Sequence, residues 1–170
     1  DAPETAHRGY AAQPYGNEAR EAVMVWLGTS RKIGLRFDVQ PRDRFGRQLA
    51  HVTLPDGRSL AQRLLERGLV SALVIPPNLA YSECYVALEA QAQAARKGIW
   101  TVPRYQTAKV STITTRARGY HALTGKITAV RREYGARLIV LEDRLHVRVA
   151  EEHLRYFPVT LEERLVGRRA

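Results

Sequence analysis

A chain of 170 residues with 45% hydrophobic and 26% charged side chains can form one good core or two small ones, and is too apolar to be disordered. No apolar run approaches the ~20 residues that cross a bilayer, and the start of the sequence lacks a basic-then-apolar signal segment. The net charge is +10, and residues 101–170 hold 14 of the 27 Lys+Arg but 7 of the 17 Asp+Glu, an excess that favours a polyanionic partner such as nucleic acid.

In chain order, Asp1 to Gly16 reads as irregular, with Pro3, Gly9 and Pro14. Asn17 is a candidate N-cap, and Ala19, Ala22, Val23, Trp26 and Leu27 then share one helical face. Ile33 to Phe37 alternates as a strand, Gln40 to Gly46 reads as a loop, and Leu49 to Leu54 as the returning strand closed by Pro55-Asp56-Gly57. Ser59 and Gln62 form a capping-box pair ahead of a second helix bearing Leu60, Leu64 and Leu65. Leu69 to Ile75 is apolar and reads as extended until Pro76-Pro77-Asn78. Ser82 is expected to cap a third helix carrying Tyr85, Leu88, Ala92 and Ala95, stopped by Gly98.

Residues 101–119 read as a connection. Beyond it, His121 to Val130, Ala136 to Leu141 and Leu145 to Val149 read as a three-stranded meander, with a short helix at 151–157. The expected domains are thus 1–100, a linker 101–119, and a small β-rich domain 120–170, α+β in class. Cys84 is the sole cysteine, which excludes a disulfide framework and reads as a small core residue. Trp26 and Trp100 read as packing residues, and the five histidines show no ligand spacing.

Four local features stand in order: Asp1-Ala2-Pro3-Glu4-Thr5, Tyr15-Gly16-Asn17-Glu18-Ala19, Asp43-Arg44-Phe45-Gly46-Arg47, and Glu89-Ala90-Gln91-Ala92 ahead of Gly98-Ile99-Trp100. Together they resemble the staphylococcal nuclease family. The resemblance implies an OB-type β-barrel with three helices that binds Ca²⁺ and hydrolyses phosphodiesters in DNA and RNA. By that match Asp1 ligates the metal, Ala2 offers it a backbone carbonyl, Glu4 is the general base holding the attacking water, and Arg47 grips the phosphate, with Asp43 in a supporting role closing the turn. Physical chemistry suits this division. Hydrolysis loads negative charge onto anionic oxygens, so fixed positive charge is needed. Ca²⁺ prefers carboxylate and carbonyl oxygens, and an arginine fork can bind phosphate bidentately.

The family also places three strands before the Asp1 loop, with a second metal-binding aspartate and a second phosphate-binding arginine. The expectation here is therefore an OB barrel that lacks those strands in this chain, through truncation or with upstream residues or strands from elsewhere supplying them, and a second OB-like unit built on the meander. The family stacks bases on tyrosines where this chain has Val74-Ile75-Pro76, and Phe45 stands where the arginine loop has Tyr. That departure keeps open a second reading, a nuclease-like module that binds nucleic acid or protein without cleaving. The resemblance favours a secreted or periplasmic location.

Overall fold

The computed structural model describes residues 1–6, 9, 11–29, 32–114 and 121–156. It divides into two compact units, Asp1–Pro103 and Arg104–Ala170. In the first, helix α1 (Gly16–Leu27) turns Ala19, Ala22, Val23, Trp26 and Leu27 inward, the face that the apolar spacing predicts. Its N-cap is Tyr15 in the left-handed region (φ 69°) rather than Asn17, because the helix already starts at Gly16. Trp26 lies under the guanidiniums of Arg63 and Arg67, 4.3 and 5.1 Å from its ring, which ties α1 to the following helix α2 (Leu60–Glu66).

Strands β1 (Gly34–Arg42) and β2 (Gln48–Thr53) form an antiparallel pair. Both run further toward the turn than their alternation suggests, because β1 absorbs extra residues in a bulge between Phe37 and Arg42. Pro41, which has no N–H to donate, falls in that bulge. One face of the pair carries Arg36 and His51 toward Tyr81 and Tyr85. The other face carries Leu35 and Phe37 opposite Val52 and Ala50, and Leu35 and Phe37 remain 47% and 45% exposed. A closed barrel is therefore absent among the described residues; the first unit is an α+β arrangement of helices on a small sheet.

Ser59 caps α2 as expected, its Oγ accepting the Gln62 N–H at 3.3 Å. The segment after α2 departs from expectation. Leu69, Val70 and Ser71 are buried, but residues 69–75 join no sheet beyond an Ile75–Asn78 bridge. Helix α3 (Ser82–Ala94) follows, capped by Tyr81 in the left-handed region instead of by Ser82. Cys84 is exposed on it, accepting from Gln62 Nε2, so the core reading of that thiol is corrected. Leu54, Leu65, Ala92, Ile99 and Trp100 make the core of the unit.

The second unit begins earlier than the expected domain start at 120, with Tyr105 and Val110 in its core. Strands β3 (Ala108–Lys109) and β4 (Leu123–Thr124) pair in parallel. The meander is β5 (Ile127–Glu133), β6 (Ala136–Leu141) and β7 (Leu145–Ala150), paired in that order, over Ile127, Val140, Leu141 and Val149. The expected helix at 151–157 is a 3-10 turn, Glu151–Tyr156; Phe157 and the residues after it lie outside the described residues.

Asp38 joins β1 to the approach of α3: its Oδ2 accepts the Ala80 N–H and its Oδ1 the Val39 N–H, both at 2.8 Å. The Ala80 bond, then the Val39 bond, hold its carboxyl below its ordinary pKa against the opposing effect of burial. A depressed folded pKa stabilises fully above the unfolded value of about 3.9 and ceases to do so as pH falls through the folded value. Thermal unfolding is expected to show Asp38→Asn less stable than the parent at pH 7, with the gap narrowing below about pH 4. A gap independent of pH would contradict this assignment.

Candidate functional site

Asp43 organises the turn between β1 and β2. Its Oδ1 accepts the N–H groups of Phe45 (2.8 Å) and Arg47 (3.0 Å), and its main chain exchanges bonds with Arg47 and Gly46, each 3.0 Å. Its Oδ2 receives Nε and Nη2 of Arg47, both at 2.6 Å. Burial opposes ionisation of Asp43, but the Arg47 side chain and the N–H groups of Arg47 and Phe45 outweigh it and hold the carboxyl below its ordinary range. The Phe45 ring lies beneath two guanidiniums, 4.8 Å from that of Arg44 and 5.3 Å from that of Arg47. Arg47 is thus fixed at one edge yet 74% exposed, and its Nη1 makes no bond among the described residues. An exposed pair contributes only ~0–1 kcal/mol, so an incoming anion can share the guanidinium at little cost.

This turn borders a hollow of about 700 Å³, with Asp43, Phe45 and Arg47 on one side and Leu73, Val74 and Ile75 on the other. A neighbouring hollow of about 310 Å³ is lined by Asp1 and Ala2 together with the apolar Leu60, Leu64 and Val70. The two share Ala50, His51, Leu73 and Tyr85 as walls. His51 is held by a 3.0 Å bond between its Nδ1 and the Tyr85 hydroxyl, and the Tyr81 ring meets it edge-on at 4.9 Å. No spacing signal marks His51 or Leu73, since the wall forms from positions far apart in the chain.

The Asp1 strap is pinned by main chain. The Asp1 carbonyl accepts the Ser71 N–H at 2.8 Å, and its nitrogen donates to the Ser71 carbonyl. The next amide, Ala72 N–H, donates to Glu89 Oε1 of α3 at 3.0 Å. Burial pushes the Glu89 carboxyl up, against the lowering effect of the Ala72 N–H. Pro3 is buried, whereas Asp1, Ala2 and Glu4 are exposed. Glu4 is fixed through its backbone: its N–H donates to Gln13 Oε1 (3.2 Å) and its carbonyl accepts the Gln13 N–H (2.8 Å). The structure therefore brings Asp1 and Ala2 to one hollow and Asp43 and Arg47 to its neighbour. Glu4 sits further along the same strap and lines neither.

Among the described residues no three His, Cys, Asp or Glu side chains gather as a metal cluster. The Asp1 carboxylate and Ala2 carbonyl are hard oxygen donors and fit Ca²⁺ in kind. They supply part of the 6–8 oxygens that ion takes, leaving the rest to water, phosphate oxygens or further protein groups.

Residues 1–102 match the family described as staphylococcal nuclease homologue. The chain belongs to that family. It is 38% identical over 102 residues to a protein named thermonuclease from Staphylococcus hyicus, covering 59% of each chain. It is 34% identical over 100 residues to the thermonuclease of Staphylococcus intermedius (59% of this chain, 58% of that one), and 37% over 109 residues to endonuclease YncB of Bacillus subtilis (63% and 51%). The chain thus spans between half and three-fifths of the length of these relatives. Among the described residues no helix is long and apolar enough to cross a membrane.

Gly16, from the second motif of this nuclease-family chain, has a steric task. A Cβ there would lie 2.5 Å from the Glu4 carbonyl oxygen. Gly16→Ala is expected to displace the Glu4 strap, lower Tm and speed hydrogen exchange of the Gln13 amide. Exchange at the parent rate would show that the strap does not rest on Gly16.

Proposed function

We propose that this chain forms a Ca²⁺-dependent phosphodiesterase site that cuts DNA and RNA with little sequence preference. The observation that carries the reading is the Asp43-clamped Arg47 on one hollow, with Asp1 and Ala2 on the adjoining one. The thermonuclease and endonuclease names of the relatives support it.

In this reading the scissile phosphate sits between the Arg47 turn and the Asp1 strap. Arg47, its Nε edge held by Asp43, donates from its Nη groups to the non-bridging phosphate oxygens and stabilises the charge that grows there. Glu4 accepts a proton from the attacking water as the new P–O bond forms and the bond from phosphorus to the leaving sugar oxygen breaks, that oxygen taking its proton from solvent. Ca²⁺, when bound by the Asp1 carboxylate and Ala2 carbonyl, supplies positive charge beside those oxygens. Ser71 acts on Asp1 only by fixing its backbone, and Glu89 only by holding the neighbouring Ala72 amide. The same reading takes the β1–β2 pair as part of an OB barrel completed by three further strands over Leu35 and Phe37, and the meander unit as a second OB-like domain.

A second reading, binding without cleavage, draws on Leu73, Val74 and Ile75, which give bases an aliphatic wall instead of an aromatic one. Turnover of DNA in a Ca²⁺ buffer decides between the two. Glu4→Ala and Arg47→Ala are each expected to lower it by about 10²-fold or more, with circular dichroism unchanged. Parental turnover in both variants removes the site assignment, and a parent that binds DNA but never cuts it leaves the second reading in place.

A further inference from the structure

The second unit carries a surface that the cleavage reading does not use. Residues opposite each other in an antiparallel ladder share a face. The pairs Arg131–Leu138 and Leu138–Arg148 therefore lay Arg131, Leu138 and Arg148 in one row across β5, β6 and β7. Neighbouring strands are ~4.8 Å apart, which puts the two arginines roughly 10 Å from each other. The next row on the same face passes through buried Val140 to exposed His146, so the open part of this face is the arginine row and its turn end. Neither arginine has a carboxylate partner among the described residues. Half-buried Glu133 is the one acidic side chain of β5–β7 on this face. The opposite face differs: Arg132 and Arg137 there both reach Glu151, at 2.9 and 3.7 Å.

The turn at the end of the row is the second observation. Tyr134 and Gly135 join β5 to β6 with φ of 46° and 68°, the two-residue hairpin geometry that favours Asn-Gly. A tyrosine there adopts a conformation unfavourable for a residue with a Cβ, and the residue is 97% exposed. It packs on nothing that would offset either cost. The Tyr134 carbonyl accepts Arg148 Nη2 at 3.5 Å, which draws the end of the Arg148 side chain to this turn.

We infer that this sheet face binds single-stranded nucleic acid, with Arg131 and Arg148 on successive backbone phosphates and Tyr134 stacked on a base. Guanidiniums answer the polyanion, and an exposed ring beside them answers an unpaired base; this is the combination by which single strands are held without sequence preference. The inference goes beyond the cleavage site and stands without it.

Fluorescence anisotropy of a labelled oligothymidylate, with the full chain in EDTA so that nothing is cut, tests it. Tyr134→Asn is expected to weaken binding at least about fivefold while raising Tm, since Asn-Gly suits the turn; a tyrosine kept for stability would lower Tm instead. Arg131→Ala and Arg132→Ala remove the same charge from adjacent residues on opposite faces. Only Arg131→Ala should weaken binding, and Arg131→Ala with Arg148→Ala should flatten the slope of log K against log salt by about 1.4. Equal loss from Arg132→Ala, parental affinity in Tyr134→Asn, or duplex DNA bound as tightly with the same dependence on Tyr134 would each overturn the inference. Cleavage is read on Glu4→Ala and Arg47→Ala and binding on Tyr134→Asn and Arg131→Ala, so failure of the cleavage reading and failure of this one are distinguished.

Discussion

Backbone polar groups that no sheet receives must find partners elsewhere, and residues 71–80 are where that requirement shapes this molecule. The segment runs beneath both hollows without a ladder. Ser71 is satisfied by Asp1, Ala72 by Glu89 and Ala80 by Asp38. Asn78 bonds both the N–H and the carbonyl of Gln40, each at 2.8 Å. Each bond that settles a stray amide also fixes something else: the Asp1 strap, the register of α3, or the outer edge of β1. The site is therefore positioned by main-chain demand rather than by packing alone, and this explains how exposed residues such as Asp1 and Ala2 are held in place.

Asp43 does comparable work on the other side. One carboxylate closes the turn through two amides and orients the guanidinium of Arg47. Arginine suits the position because its planar fork can be held at one edge while the other donates, which an ammonium cannot do. The Phe45 ring, under two guanidiniums, keeps cationic groups close together on the rim of the hollow despite their mutual repulsion.

Much of the local structure is legible in the sequence. The inward face of α1, the Ser59 cap and the last two strands of the meander follow from apolar periodicity and side-chain chemistry acting over a few residues, whereas its first strand runs Ile127–Glu133 instead of 121–130. What escapes is set by distant partners. Asn17 and Ser82 have the right chemistry for caps, yet tyrosines in the left-handed region take those places. Leu69 to Ile75 has strand composition, but its amides go to Asp1 and to a helix side chain. Cys84 falls on the exposed side of α3, whose weak amphipathic pattern does not distinguish its faces. As for the proposed site, Asp1, Ala2, Glu4 and Arg47 are picked out by family resemblance and not by any local rule, while His51 and Leu73, which wall both hollows, carry no signal at all.

The uncovered side of the β1–β2 pair has a colloidal consequence. Leu35 and Phe37, which the proposed barrel would cover with further strands, form a greasy strip wherever those strands are not in place, the kind of surface on which molecules nucleate aggregates. A net charge of +10 works against such encounters through long-range repulsion, and added salt shortens its reach. The arginine-rich composition that suits an anionic ligand thus also acts as a dispersant for this strip, most effective in dilute electrolyte.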